Sequence, residues 1–436
     1  MKRFCQFLFS SVIIVSLAFL LFKFSGIYRV NILKDNIDWS ISSKNCKDAV
    51  AFDKDEYENT YVAYKNYIKL LKDDGREEIL VQNKSFSIEN LVCTNNDMYF
   101  ISNDELYHYN ISSKFLEVIL KGIPTSGENL DRNLILKDSH LLLSIGAATN
   151  SGIAESNGEV DFSKIPYDKS PINIVLNGEN YGKEKTGAYM PYTNSSIRGQ
   201  KISAEKFGNA SIVKVDLKTN KTSLYACGIR NVTGWDLDSN NNLIAIVGGM
   251  EEKGLRPVKR DFDYLYKLQE ENWYGWPDFS GGDPISSPRF NDANKLTPII
   301  SNPPNKIVNG PEYQFSKVNS IKCLAVYKDG KILDKDSNIF YDKKDNVIGS
   351  VNQNGILYKL LKLKNESDVK GIKYSCGNIY ILDSGIGCIY KLQSGNLGLK
   401  FNLPKPVCIF IIILLFTLLI LNIIRFNNKK KRNIKK

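Results

Sequence analysis

The stretch "CGNIYILDSGIGCIYKL" at 376–392 reads as two short strands around a turn. Apolar residues fill each strand, and Asn, Asp, Ser and Gly cluster at the ends, which is the pattern of a β-hairpin. The same outline returns in "NNDMYFISNDELYHYN" at 95–110 and "KDNVIGSVNQNGILYKL" at 344–360. "SNNNLIAIVGG" at 239–249 keeps its first half. Almost nothing between these segments reads as a helix. Hairpins repeated over roughly 350 residues predict an all-β chain, a six-bladed β-propeller, because radial repetition protects the edges of the sheets. Two β-sandwiches are the competing reading, but no break in composition divides the chain. The segment "DEYENTYVAYKNYIKLLKDD" at 55–74 admits helix or strand, and its Tyr and Val residues place it with the strands. Residues 151–207 are polar, punctuated by Gly and Pro, and predict a long insertion on one face.

Both ends are apolar. Residues 4–22 carry no charge and are long enough to span a bilayer, as are residues 407–424. Lys2 and Arg3 precede the first run, and a tail with seven positive charges and no negative ones follows the second. The positive-inside rule puts both termini in the cytoplasm. The expected division is an N-terminal anchor at 1–25 (alternatively a signal peptide), an extracytoplasmic propeller at 26–404, a second membrane helix at 405–425 and a basic cytoplasmic tail at 426–436.

Setting the basic ends aside reduces the formal charge of +11 to about +1. That removes the electrostatic case for a nucleic-acid partner. Cys5 and Cys408 lie in the apolar runs; Cys46, Cys93, Cys227, Cys323, Cys376 and Cys388 lie between them. Six cysteines allow fifteen pairings, and an oxidising compartment leans towards some of them. No C-x-x-C, G-x-S-x-G, H-E-x-x-H or phosphate-binding loop is present. The two histidines, His108 and His140, fall on a strand and at a hairpin turn and read as structural or solvated. "DLDSNNN" and "DKDSN" lack the Gly and closing Glu of a calcium loop and read as hairpin turns.

Two loops stand apart: "SLYACGIRNVTGWDLDSNNNLIAI" at 223–246 and "DYLYKLQEENWYGWPDFSGG" at 263–282. Their Arg-Asn pair and Tyr-Gly-Trp-Pro run, in this order, resemble the glucose/sorbosone dehydrogenases, quinoproteins built as six-bladed propellers. The similarity extends from about residue 90 to 392. It includes "LLLSIGAATNSG" at 141–152, "ASIVKVDLKTNKT" at 210–222 and "GIKYSCGNIYILDSGIGCIYKL" at 371–392. "KVNSIKCLAVYKDGKIL" at 317–333 matches a strand of that family with Cys323 where Gly is usual.

The resemblance implies pyrroloquinoline quinone (PQQ), calcium and a sugar at the channel mouth. Arg230, Asn231, Arg132 and Lys370 would hold the cofactor. Tyr274, Gly275, Trp276 and Pro277 would support the site, and Asp263 would ligate calcium. The family's general-base His has no counterpart in "SGENLDRNLIL" at 126–136; the position falls on Glu128 or Asn129. Glu128 is the candidate base, on condition that burial raises its pKa. Two functions follow as expectations. One is a membrane-anchored, quinone-dependent sugar oxidoreductase. The other is a propeller that lost the base and binds a glycan or protein partner at the cell surface.

Overall fold

The computed structural model describes residues 12–16, 28, 30–72, 75–156, 158–159, 161–290, 295–395, 409–421 and 424. The chain divides into two compact units, one spanning Ile32–Gly395 and one made of the two ends. In the terminal unit, 12–16 and 409–421 are helical. Among the described residues no helix is long and apolar enough to cross a membrane, so the flanking transmembrane helices expected from the sequence are not found at spanning length. The remainder of the runs 4–22 and 407–424 lies outside the described residues.

The larger unit is a six-bladed β-propeller. Blade 1 begins with Ala51–Lys54, blade 2 with Ile88–Cys93, blade 3 with Leu134–Lys137, blade 4 with Val232–Leu237, blade 5 with Ile321–Tyr327 and blade 6 with Val369–Ser375. Each of these first strands touches those of the blades before and after it, which closes a ring around a central channel. Further strands run outward antiparallel from each first strand. The segment at 55–74 forms the middle strands of blade 1, Thr60–Tyr64 and Tyr67–Leu71. Blade 6 takes its outermost strand, Ile37–Lys44, from the start of the unit; it pairs antiparallel with Cys388–Ser394. The ring is thus fastened by hydrogen bonds between the two ends of the propeller.

The sequence favours these strands for concrete reasons. The second strands, such as Asn378–Asp383, are buried on both faces and consist of Ile, Leu and Tyr between polar ends. The hairpin that opens blade 6 turns through Cys376 and Gly377, both at positive φ (44° and 79°), between paired Ser375 and Asn378. Two residues at positive φ give the turn whose twist matches that of the strands. Outermost strands such as Phe115–Lys121 face water on one side. All six described cysteines are free thiols, so the expected pairing does not occur among them.

Residues 146–210 leave blade 3 between its second strand, His140–Ile145, and its third, Ser211–Asp216. They pack with loops that leave blade 4 after Leu243–Val247 and after Tyr264–Leu268. The resulting lobe has its own core, including Ile153, Leu176, Tyr189, Met250, Trp276 and Phe290. At its centre Arg256 and Asp278, 0% and 2% exposed, form an ion pair at 3.0 Å. The two terminal nitrogens of the guanidinium also donate to the carbonyls of Ser151, Pro277 and Thr297, while its Nε has no partner among the described residues.

Candidate functional site at the channel mouth

Four first strands are irregular near their starts. The register slips between Ile88 and Asn90, Val232 and Gly234, Lys322 and Leu324, and Val369 and Gly371. The residues left out of the ladders are Glu89, Thr233, Cys323 and Lys370. A β-bulge re-aims its side chain and is favoured beside functional sites. All four line one cavity of about 880 Å³, with Val50 of blade 1 and Asp131, Arg132 and Asn133 before the first strand of blade 3. Every blade therefore contributes to the cavity, which is the mouth of the channel. Cys323 has φ 56°, a left-handed conformation that favours glycine.

The sequence-predicted residues divide between this cavity and the lobe. Arg132 lines the cavity, but its side chain is 1% exposed. Its Nε donates to Glu89 Oε2 at 2.9 Å, Nη2 donates to Glu89 Oε1, and Nη1 donates to the Asn103 carbonyl. It is a strut of the wall. Asn231 sits beside it, donating to Asp131 Oδ2 at 2.7 Å and accepting from the Asp131 N–H at 3.2 Å. Lys370 lines the cavity and pairs with Asp368 at 2.9 Å.

Arg230 turns the other way. Its Nε and Nη2 donate to the carbonyl and side-chain oxygens of Asn150, each at 3.0 Å, and Glu251 lies 3.7 Å away. Burial pulls the guanidinium below its usual pKa, with Glu251 opposing that shift. Lys253 bridges Glu251 at 2.9 Å to Glu128 at 2.5 Å. Glu128 is thus a partly exposed member of an ion-pair chain, not a carboxyl isolated by burial, and it does not line the mouth.

Asp263 is buried, and its oxygens accept backbone N–H groups from Gly249, Asn319, Ser320 and Ile321. With four donors on two oxygens it staples blade 4 to blade 5 and leaves no site for a cation. Among the described residues no group of three or more His, Cys, Asp or Glu side chains could hold a metal. The Tyr-Gly-Trp-Pro run is structural as well. The Tyr274 hydroxyl accepts from Gln269 N–H at 2.8 Å, and Trp276 packs in the lobe core. Gly275 has φ 99°, and a Cβ there would stand 2.4 Å from that of Phe279. In the roles the resemblance gave them, Arg230, Asn231, Arg132 and Asp263 do not fit a quinone and its calcium.

Sequence reasoning missed Glu89, Asp131, Lys322, Lys343 and Lys344, which complete the mouth. Lys322 pairs with Asp131 at 3.3 Å. For Glu89 and Lys322 the signal was positional: a polar residue just inside the start of a blade's first strand. Neither histidine reaches the mouth. His108 stacks on Tyr99 and bonds Asp97 and Glu117 on the outer part of blade 2. His140 lies 3.9 Å from Asp216 at the edge of blade 3.

No family model matches the sequence, and no curated protein resembles it closely enough to align. Solved structures do share its fold. A family AA12 carbohydrate-active enzyme from Trichoderma reesei superposes with a TM-score of 0.57 at 14% identity, covering 84% of this chain and 98% of that one. The PQQ domain of a pyranose dehydrogenase from Coprinopsis cinerea gives 0.55 at 11% identity, covering 84% and 97%. A PQQ-bound aldose sugar dehydrogenase from Streptomyces coelicolor gives 0.50 at 12% identity, covering 83% and 99%. The chain thus has the six-bladed propeller fold found in this carbohydrate-active enzyme and in these sugar dehydrogenases.

Proposed function

We propose that this chain holds a saccharide at the mouth of its propeller channel and acts as a binding module, not as an oxidoreductase. The observation that carries this reading is the make-up of the cavity. It draws polar side chains from several blades and contains no histidine, and its carboxylates Glu89, Asp131 and Asp368 are each tied to a cation. Its volume of about 880 Å³ lies in the range of small-molecule sites. A hydroxyl-rich ligand suits a wall of ammonium and amide groups. Abstracting a proton as hydride leaves the sugar requires a free base at the reacting carbon, and this wall offers none.

The test is a titration of the purified full chain with mono- and disaccharides by calorimetry. A parallel assay adds PQQ and calcium and follows dye reduction with aldoses. Saturable sugar binding without dye reduction is expected. Dye reduction at a rate proportional to protein would replace this reading with the quinone-dependent oxidoreductase, which the fold neighbours and the lysines of the mouth favour.

We further propose that the apolar ends tether the propeller to the outer face of the cell membrane, with both termini in the cytoplasm. The charge asymmetry of the ends supports this. Protease added to intact cells should digest the propeller and spare an epitope on the basic tail; a tail epitope lost on intact cells would refute it.

A further inference from the structure

We infer that the saccharide held at the mouth is anionic, carrying a carboxylate or phosphate. The inference rests on the saccharide-binding reading above and specifies its ligand. Its basis is the balance of charge around the cavity. Glu89 is matched by Arg132, Asp131 by Lys322 and Asp368 by Lys370. Two cations of the same wall, Lys343 and Lys344, remain over.

These two lysines occupy the turn between Ser337–Asp342 and Val347–Val351 of blade 5 and are exposed. Lys343 Nζ donates to Asn319 Oδ1 at 3.0 Å, and Lys344 Nζ donates to the Val318 carbonyl at 2.7 Å. Both acceptors are neutral, and neither lysine has a carboxylate within ion-pair distance among the described residues. An ammonium carries three donors, so each retains donors for a ligand.

Lys343 also stands near Lys322 and Lys344. Burial first, and then Lys322, pull its pKa below the usual value; Asp263 and Glu251 oppose that shift, and Lys344 adds to it. A bound anion would relieve that repulsion; a neutral sugar would not. Surplus ammonium groups on the same wall as amide side chains match a ligand with one charged group and several hydroxyls.

The experiment titrates the full chain with glucuronate, glucose 6-phosphate, glucose and inorganic phosphate at low and high salt. At least one anionic sugar should bind about tenfold or more tightly than glucose, since charged hydrogen bonds exceed neutral ones by that order. High salt should shrink the gap, because these lysines are exposed to screening. The double variant Lys343→Gln, Lys344→Gln should lose about tenfold for the anionic sugar and leave glucose unchanged. Lys335→Gln, outside the cavity, should change neither. Equal affinity for glucose and both anionic sugars would overturn the inference and leave the saccharide reading standing. Inorganic phosphate binding as tightly as glucose 6-phosphate, with no binding of glucuronate or glucose, would overturn both by showing an anion site without saccharide recognition. Absence of binding by all four would also overturn both.

Discussion

Asn231 Nδ2 donates to Asp131 Oδ2 at 2.7 Å, and the Asp131 N–H returns a bond to Asn231 Oδ1 at 3.2 Å. This reciprocal clasp joins the start of blade 4 to the segment that opens blade 3, and it aims the Asp131 carboxylate at Lys322. Asn231→Ala removes both bonds from a residue only 6% exposed. The expected cost is about 1–3 kcal/mol, read as a lower urea midpoint with an unchanged slope. A sugar titration of the same variant should show weaker binding, because Lys322 loses its fixed partner.

The lobe makes a separate test. Arg256 and Asp278 are fully enclosed. Asp278→Asn removes the charge that balances a buried guanidinium and turns one of the two oxygens that accept from the Ile299 and Ile300 N–H groups into a donor. A loss of about 3–5 kcal/mol is expected. Limited proteolysis should cut first within 146–210 and 250–310. First cuts in the blades instead would show that the lobe and propeller unfold as one unit.

The architecture was legible in the sequence because each hairpin carries its own signal. Alternation and turn residues are local, so the strands at 376–392 or 95–110 declare themselves without knowledge of their neighbours. The strand Ile37–Lys44 was not read as the closing strand of blade 6, because its partner lies some 350 residues away. The site was less legible for the same reason. Arg230 and Asn231 are adjacent, yet one turns into the lobe and the other towards the mouth. That choice is made by Asn150 and Asp131, far from both in sequence. Lys343 and Lys344 looked like ordinary turn residues, and only the packing of blade 5 against blade 6 brings them to the same cavity as Lys370.

His108 gives a pH signature unrelated to the mouth. Burial lowers the pKa of its imidazole, but hydrogen bonds to Glu117 and Asp97 outweigh that and raise it above its ordinary 6.5. A raised histidine adds stability that is fully present below the unfolded value and is lost as pH rises through the folded one. Unfolding midpoints should therefore fall in the native chain as pH rises from about 6.5 through the raised folded value. His108→Gln should flatten that fall; an identical slope in the variant would remove His108 as its source.

Cys323 connects backbone strain to the bulge that places it at the mouth. Its φ of 56° is a conformation a β-branched residue adopts only at a cost of about 1–3 kcal/mol. Cys323→Val should lower stability by about that amount. Cys323→Gly should change it by less than about 1 kcal/mol, since relief of strain offsets the greater freedom of glycine in the unfolded chain. The thiol itself is held neutral: burial pushes it up to about 12, against the opposing pull of Lys322 and Lys370. Alkylating agents at neutral pH should therefore modify the exposed Cys376 before Cys323, and peptide mapping of a brief iodoacetamide treatment reads the order directly. Faster labelling of Cys323 would mean that the lysines of the mouth dominate its titration, and the bulge would then present a reactive thiolate to the cavity.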